Sequence, residues 1–306
     1  MTVLAGAIQI LGGIALAPLL PGTVQTLKAR LQGRRGPSPL QPYRELRRLW
    51  GKTLADPRPT TIVYRLAPCV VAATMLLTLL LIPIAGVAPD WPLGNDALVL
   101  VGLLALARFA LAISSWDTGS GFALIGSSRD LTLAVFAEAL LLLAIVLAAL
   151  PAGSTDLVAI SGAAAGSAIW SEPAHWCGAA ALGIAILVET GRQPIDNPDT
   201  HLELTMIHEG ALLEYAGRDL ALLEWSAAAR HWIVLVLAAE LYLPHWGGFA
   251  TQLAYLAAGV ALLCVALALT ETAQAKMRIL RAPALLLGGC LLALAGLASR
   301  LAGGVG

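Results

Sequence analysis

The sequence predicts an all-α, polytopic integral membrane protein with about eight transmembrane helices and one long acidic cytoplasmic loop. Three observations predict it. Of the 306 residues, 58% are hydrophobic and 12% charged, about half the charged share of a soluble domain and more apolar surface than one globular core absorbs. The apolar residues fall in runs close to the roughly 20 that a helix needs to cross the hydrocarbon. The acids, by contrast, gather: Glu189, Asp196, Asp199, Glu203, Glu209, Glu214, Asp219 and Glu224 all follow directly on one such run.

In chain order, spans are expected at about 3–22, 61–84, 95–115, 130–150, 174–190, 229–246, 251–272 and 282–301, in a single transmembrane domain over 1–306. The cytoplasmic loops are then 23–60 and 191–228. The first span is not read as a cleaved signal sequence, because basic residues follow it instead of preceding it. The stretch 155–173 (TDLVAISGAAAGSAIWSEP) is apolar in places, but its Gly, Ser and Pro content points to a short interfacial or re-entrant piece.

Orientation follows from the basic residues. Lys28, Arg30, Arg34, Arg35, Arg44, Arg47, Arg48, Lys52 and Arg58 lie between the first two spans, which the positive-inside rule assigns to the cytoplasm. The loops at 85–94, 151–173 and 247–250 hold no Lys or Arg, whereas the alternate loops hold Arg129, then Arg192 and Arg218, then Lys276, Arg278 and Arg281. Both termini are therefore expected outside a prokaryotic plasma (inner) membrane. The tryptophans fall in loops or near span ends, where an amphipathic ring sits between headgroup and acyl chain.

With 19 basic and 19 acidic residues the net charge is zero, and no nucleic-acid partner is expected. Cys69, Cys177, Cys264 and Cys290 lie in or beside apolar segments without CxxC spacing, and the histidines are scattered, so no metal site is expected in this chain.

Asn197 and Pro198 read as an N-cap and first-turn signal for a loop helix carrying Asp199 and Glu203 on one face. Crowded carboxylates repel, which raises some of their pKa values toward neutrality, as a proton relay requires. A solvated acidic face on an ordinary loop helix is the alternative. Arg108, Glu138 and Glu240 lie at span depth, where a charge costs about 2.5–3.5 kcal/mol on insertion scales. Arg108 and Glu138 fit a structural ion pair; with the acidic loop, the three also fit a polar route into the membrane.

The loop motifs ETGRQPIDNPD, LEL and EYAG resemble the signature of the membrane-arm subunit of respiratory complex I that forms the quinone chamber (the respiratory-chain NADH dehydrogenase subunit 1 family). The closer likeness of the two is to its homologue in membrane-bound nickel-iron hydrogenases of the formate hydrogenlyase type. RFALAISSWDTGSGFALIGSSRDLTLAVFAEALLL at 108–142, the loop reading THLELTMIHE, which is three residues longer between Glu203 and Glu214 than the complex I pattern, and RLQGRRGPSPLQPYRELRRLWGK carry that likeness. Asp199, Ile195 and Ala216 depart from the family pattern.

The resemblance implies a membrane-anchoring and coupling subunit of a membrane-bound hydrogenase or complex I-like oxidoreductase, linking electron transfer in a peripheral arm to proton or ion translocation. No catalytic residue and no cofactor is implied in this chain; the nickel-iron centre and iron-sulfur clusters would sit on the hydrogenase large and small subunits or their complex I counterparts. Antiporter-like membrane subunits and the lipid bilayer complete the implied partners. The coupling and relay residues would be Glu138, Glu189, Arg192, Asp196, Asp199, Glu203, Glu214 and Glu240. The basic segment with Arg34, Arg35, Arg44, Arg47 and Arg48 is expected either to dock partners or only to set topology. An NADH-quinone oxidoreductase subunit proper and a stand-alone cation or proton transporter are the alternatives.

Overall fold

The computed structural model describes residues 2–55, 57, 60–89, 94–196 and 207–303. Eleven α-helices and three short 3-10 turns make up the regular structure there, and no β-strand occurs among the described residues. Seven helical segments are long and apolar enough to cross a membrane, and an eighth, Pro173–Glu189, is apolar and 17 residues long.

The first segment is two helices, α1 (Thr2–Leu16) and α2 (Leu19–Leu31), broken at Ala17 and Pro18. Proline lacks an amide hydrogen and favours a helix start, so the break falls where Pro18 caps α2. The helix outlasts the expected end at residue 22, because Lys28 and Arg30 in its last turn suit a helix C-terminus. A short amphipathic helix, α3 (Gln41–Trp50), then lies against α2 and α9 with Arg44, Arg47 and Arg48 exposed.

The helices α4 (Ile62–Leu81) and α5 (Ala97–Asp117) pack side by side. Asp117 closes α5 and caps α4: its Oδ2 accepts from the Thr61 amide at 2.7 Å and the Tyr64 amide at 3.2 Å. Next, α6 (Gly121–Ala149) runs for 29 residues, about 43 Å at 1.5 Å per residue, longer than the roughly 30 Å hydrocarbon layer. It starts nine residues before the expected span, since Arg129 and Asp130 interrupt the apolar run without interrupting the helix.

The 155–173 stretch forms α7 (Leu157–Ala164) and a 3-10 turn at Ser167–Ser171. Eight residues make about 12 Å of helix, too short to cross. Then come α8 (Pro173–Glu189), α9 (Gly217–Tyr242), α10 (Phe249–Ala273) and α11 (Ala282–Gly303). The second part of the expected loop 191–228 is therefore the first turns of α9. Its charges Arg218, Asp219, Glu224 and Arg230 dilute the hydropathy, yet their carbon stems and the small residues between them keep it helical.

The centre of the bundle is α9, every residue of which from Ile233 to Tyr242 is buried. Against it stand α3, α4, α8 and α10, while α6 packs on α5, α8 and α11. The loop joining α8 to α9 lies at the same end as α3; this end is called the loop side below.

Candidate functional site: a buried ion-pair chain beside a chamber

Four elements bring one polar cluster together at the loop side. From α5, Arg108 reaches three carboxylates: Glu189 at the end of α8 (3.0 Å), Glu138 on α6 (3.2 Å) and Asp130 two helical turns earlier on α6 (3.6 Å). Its side chain is 4% exposed and that of Glu189 1%, so neither charge is solvated and each depends on the other. Arg230 of α9 adds a second cation, with Nη1 2.7 Å from Glu189 Oε2 and Nη2 donating to the Leu104 carbonyl at 3.0 Å. The negative end of the α8 dipole disfavours a carboxylate at Glu189. Two guanidiniums offset that.

The chain of charges continues from Asp130 into the loop. His208 stands between two acids, with Nε2 3.4 Å from Asp130 Oδ1 and Nδ1 3.4 Å from Asp196 Oδ2. The same Asp196 oxygen accepts from the backbone amides of Ile207 and His208 at 3.3 Å each, and Oδ1 faces Lys276 Nζ at 3.1 Å. Burial works against the Asp196 charge, but His208 and Lys276 outweigh it and hold the carboxyl well below the usual range. Burial likewise opposes a charged His208, but Asp130 and Asp196 prevail and raise its pKa above the ordinary imidazole value.

A second group ties the loop down. Glu271 of α10 accepts from Arg192 at 3.0 Å and pairs with Lys28 of α2 at 3.0 Å, all three side chains being almost fully buried. Beside it the Met277 amide donates to the Pro194 carbonyl at 2.9 Å. At the loop's far end Tyr215 stacks on Tyr64 with ring centroids 4.4 Å apart, donates to the Tyr64 carbonyl at 3.0 Å, and shares a hydrogen bond with Ser114. Burial pushes the Tyr215 phenol up to about 12, so it stays a neutral donor. Gly126 of α6 and Gly210 meet backbone to backbone: a Cβ on Gly126 would lie 2.7 Å from the Gly210 Cα.

A cavity of about 510 Å³ runs alongside the cluster. Pro18, Gln25, Pro42 and Glu224 line it toward α2, α3 and α9, and Arg108, Glu189, Asp196 and His208 line it at depth.

The residues expected from sequence are thus divided. Glu138, Glu189, Asp196 and Arg108 share one network, whereas Arg192 belongs to the Glu271 group. Glu214 acts through its backbone, its carbonyl accepting from the Tyr64 hydroxyl at 2.7 Å. Glu240 stands apart, ten residues along α9 from Arg230, about 15 Å. Its carboxylate accepts from the Ala85 amide at 2.7 Å, the Gly86 amide at 3.3 Å and the Ser161 hydroxyl at 2.7 Å. Asp199 and Glu203, with the expected helix start at Asn197, lie outside the described residues. Arg34, Arg35, Arg44, Arg47 and Arg48 are all exposed on and before α3. Sequence reasoning gave no site role to Asp130, His208, Arg230 and Glu271 and read Lys28 only as a mark of topology; all but the loop residue His208 are charged side chains toward the end of an apolar run. Among the described residues, no group of three or more His, Cys, Asp or Glu is placed to hold a metal ion.

Residues 5–298 match the family described as NADH dehydrogenase. The chain belongs to that family. Within this NADH dehydrogenase family, formate hydrogenlyase subunit 4 of Escherichia coli (strain K12) is 35% identical over 280 residues, 89% of this chain and 86% of that protein. Hydrogenase-4 component C of the same organism is 36% identical over 232 residues, 76% of this chain and 72% of the other. A more distant relative, an NADH-quinone oxidoreductase subunit of Salinibacter ruber, is 26% identical over 69% of this chain and 64% of its own length. The fold is shared with a chain of the membrane-bound sulfane sulfur reductase, an archaeal respiratory membrane complex, at a TM-score of 0.84 and 19% identity, covering 96% of this chain and 98% of that one. Hydrogenase-type and NADH-quinone-type members of the NADH dehydrogenase family both match, as the loop motifs imply.

Proposed function

We propose that the chain anchors the peripheral arm of a membrane-bound hydrogenase or similar complex I-like assembly and couples electron transfer there to movement of protons or another ion. The carrying observation is the unbroken series Lys276, Asp196, His208, Asp130, Arg108, with Glu189 and Glu138 beyond it. It leads from the loop to an acid on α6 without a gap wider than an ion pair. A redox change above the loop alters the local charge, moves a proton on or off His208, and so changes the balance among the acids that share Arg108. Asp199, Glu203 and Glu214 belong to the loop's acidic entrance in this reading, and Glu138 passes the change toward antiporter-like membrane neighbours.

The loop side is the cytoplasmic face of a prokaryotic inner membrane, on the strength of its basic residues. The exposed Arg34, Arg35, Arg44, Arg47 and Arg48 offer a cationic ledge beside the loop for the large and small subunits that carry the nickel-iron centre and the clusters. The relatives' membership of hydrogenase complexes supports this. Glu138→Gln is expected to leave assembly intact and to lower the ions moved per hydrogen turned over in sealed vesicles. Wild-type translocation at normal complex abundance defeats the relay.

The 510 Å³ cavity favours a second reading, in which a quinone reaches the cluster between α2, α3 and α9. Quinone-dependent electron transfer that stops with a quinone-site inhibitor would establish it; hydrogen turnover indifferent to such inhibitors supports the hydrogenase reading.

A further inference from the structure

The break at Ala17 and Pro18 has a consequence on the outer face of the bundle. Below it, α2 packs along α10, fastened by the buried Lys28–Glu271 pair at 3.0 Å. Above it, α1 leans onto α4 and α9 instead. Gly13 permits the lean, since a Cβ there would meet the Leu79 side chain of α4 at 2.9 Å. Gly12, next to it, has nothing within 4 Å. The helices diverge, and a groove of about 950 Å³ is left between α1–α2 and α10.

The groove's walls are apolar over nearly their whole length, with Leu16, Leu20 and Leu27 on one side, Leu253 and Ala261 on the other and Trp232 at the base. Its loop-side end is different: there the lining includes Arg30, whose side chain is exposed. On α10 the lining from Phe249 to Val265 covers sixteen residue steps, about 24 Å of a hydrocarbon layer of roughly 30 Å. An apolar trough of this depth on the outer face gives a hydrocarbon chain more dispersion contacts than a flat helix surface does.

We propose that this groove is a binding site for a glycerophospholipid, its acyl chain lying along Leu20, Leu27 and Ala261 and its phosphate at Arg30. The charge at the loop-side end fits the occupant: a guanidinium at headgroup depth above an apolar trough matches one anionic phosphodiester on a hydrocarbon tail. The site has a structural consequence for the chamber. Pro18, Pro21 and Gln25 line the 510 Å³ cavity, while Leu20, Thr23 and Leu27 line the groove; these two sets recur at three- and four-residue intervals on opposite faces of α2 and its N-cap. The lipid props the chamber's outer wall from behind.

The site does not depend on the proposed coupling role, and its test reads lipid alone. The intact complex is purified, washed stepwise in detergent to strip annular lipid, and its residual phospholipid counted by native mass spectrometry. The wild type should keep a stoichiometric phospholipid, Ala261→Phe should lose it by filling the trough, and Arg30→Gln should retain it several-fold less well. Should Ala261→Phe prevent assembly, Gly12→Leu, which projects into open space from the other wall, should give the same loss. Retention equal to wild type in the filled and Arg30→Gln variants, or release of a protein subunit with the lipid count unchanged, overturns the proposal.

Discussion

The Arg108 guanidinium on α5 and the Glu189 carboxylate at the end of α8 stand 3.0 Å apart with almost no access to solvent. Glu189 also holds Arg230 at 2.7 Å, and Arg108 also holds Asp130 and Glu138. The cluster thus counts two cations against three acids, so removing either cation leaves a buried carboxylate underpaired, whereas Arg108 keeps Glu189 and Asp130 when the partly exposed Glu138 is neutralised. Removing one partner of such a pair costs about 3–5 kcal/mol.

Arg108→Ala is therefore expected to lower the thermal stability of the subunit by that order and to reduce the assembled complex recovered from membranes. Arg108→Ala combined with Glu189→Gln should recover part of the loss, because the acid stranded in the single variant is neutralised. A double variant no more stable than the single one would show that the pair is not coupled.

His208 yields a pH dependence. Its pKa is raised in the folded protein because Asp130 and Asp196 outweigh burial. A group raised in this way stabilises fully below the unfolded value, about 6.5 for histidine, and its contribution fades as pH rises through the folded value. Asp196 works in the other direction: its lowered pKa gives a contribution present above the unfolded value near 3.9 and lost only as pH falls well below it. Protection of the amides at 207–216 against hydrogen exchange should hold through mild acid and weaken on the alkaline side of pH 6.5. In His208→Gln the alkaline weakening should disappear, with protection low throughout.

Much of this was legible in the chain itself. The apolar runs locate the helices because a bilayer demands uninterrupted backbone pairing over a fixed thickness; Arg108 and Glu138 stand out because charge is costly there, and Glu189 and Asp196 because they belong to the acidic run that follows the fifth expected span. The rest was not legible for two reasons. Asp130 and Arg230 sit where a long helix leaves the hydrocarbon, so their charge resembles a loop boundary and shortened the expected α6 and α9. Glu240 reads like Glu138 in one dimension, a lone acid in an apolar run. The Arg108–Glu138 pair is among the sequence's own readings and is present at 3.2 Å; only the folded chain shows that Glu240 instead meets the amides of Ala85 and Gly86.

Gly126 and Gly210 set how closely the loop approaches α6. With a methyl group on Gly126 only 2.7 Å from the Gly210 Cα, backbone must yield, at about 1–3 kcal/mol for overpacking of this kind. The displacement falls two residues from His208. Gly126→Ala should make the loop more susceptible to limited proteolysis and lower the ions moved per turnover, with α6 itself still helical. Proteolysis at the wild-type rate would mean that the close approach does not hold the loop.

Glu240→Gln separates fastening from relaying. The carboxylate accepts three hydrogen bonds, from the Ala85 and Gly86 amides and the Ser161 hydroxyl. Ala85 has a φ of 54°, a left-handed conformation that an alanine keeps only when its surroundings impose it. An amide in place of the acid offers one acceptor oxygen and turns donors toward donors, leaving a buried polar group unsatisfied at about 1–3 kcal/mol. Glu240→Gln should thus lower the melting temperature and loosen the 82–87 turn, as read by hydrogen exchange there, while ion movement per turnover stays at the wild-type value in the molecules that remain folded. Glu138→Gln should do the opposite, sparing stability and lowering the ratio. If Glu240→Gln instead lowers the ratio without loss of stability, Glu240 carries protons and the polar route extends to the far side of the bundle.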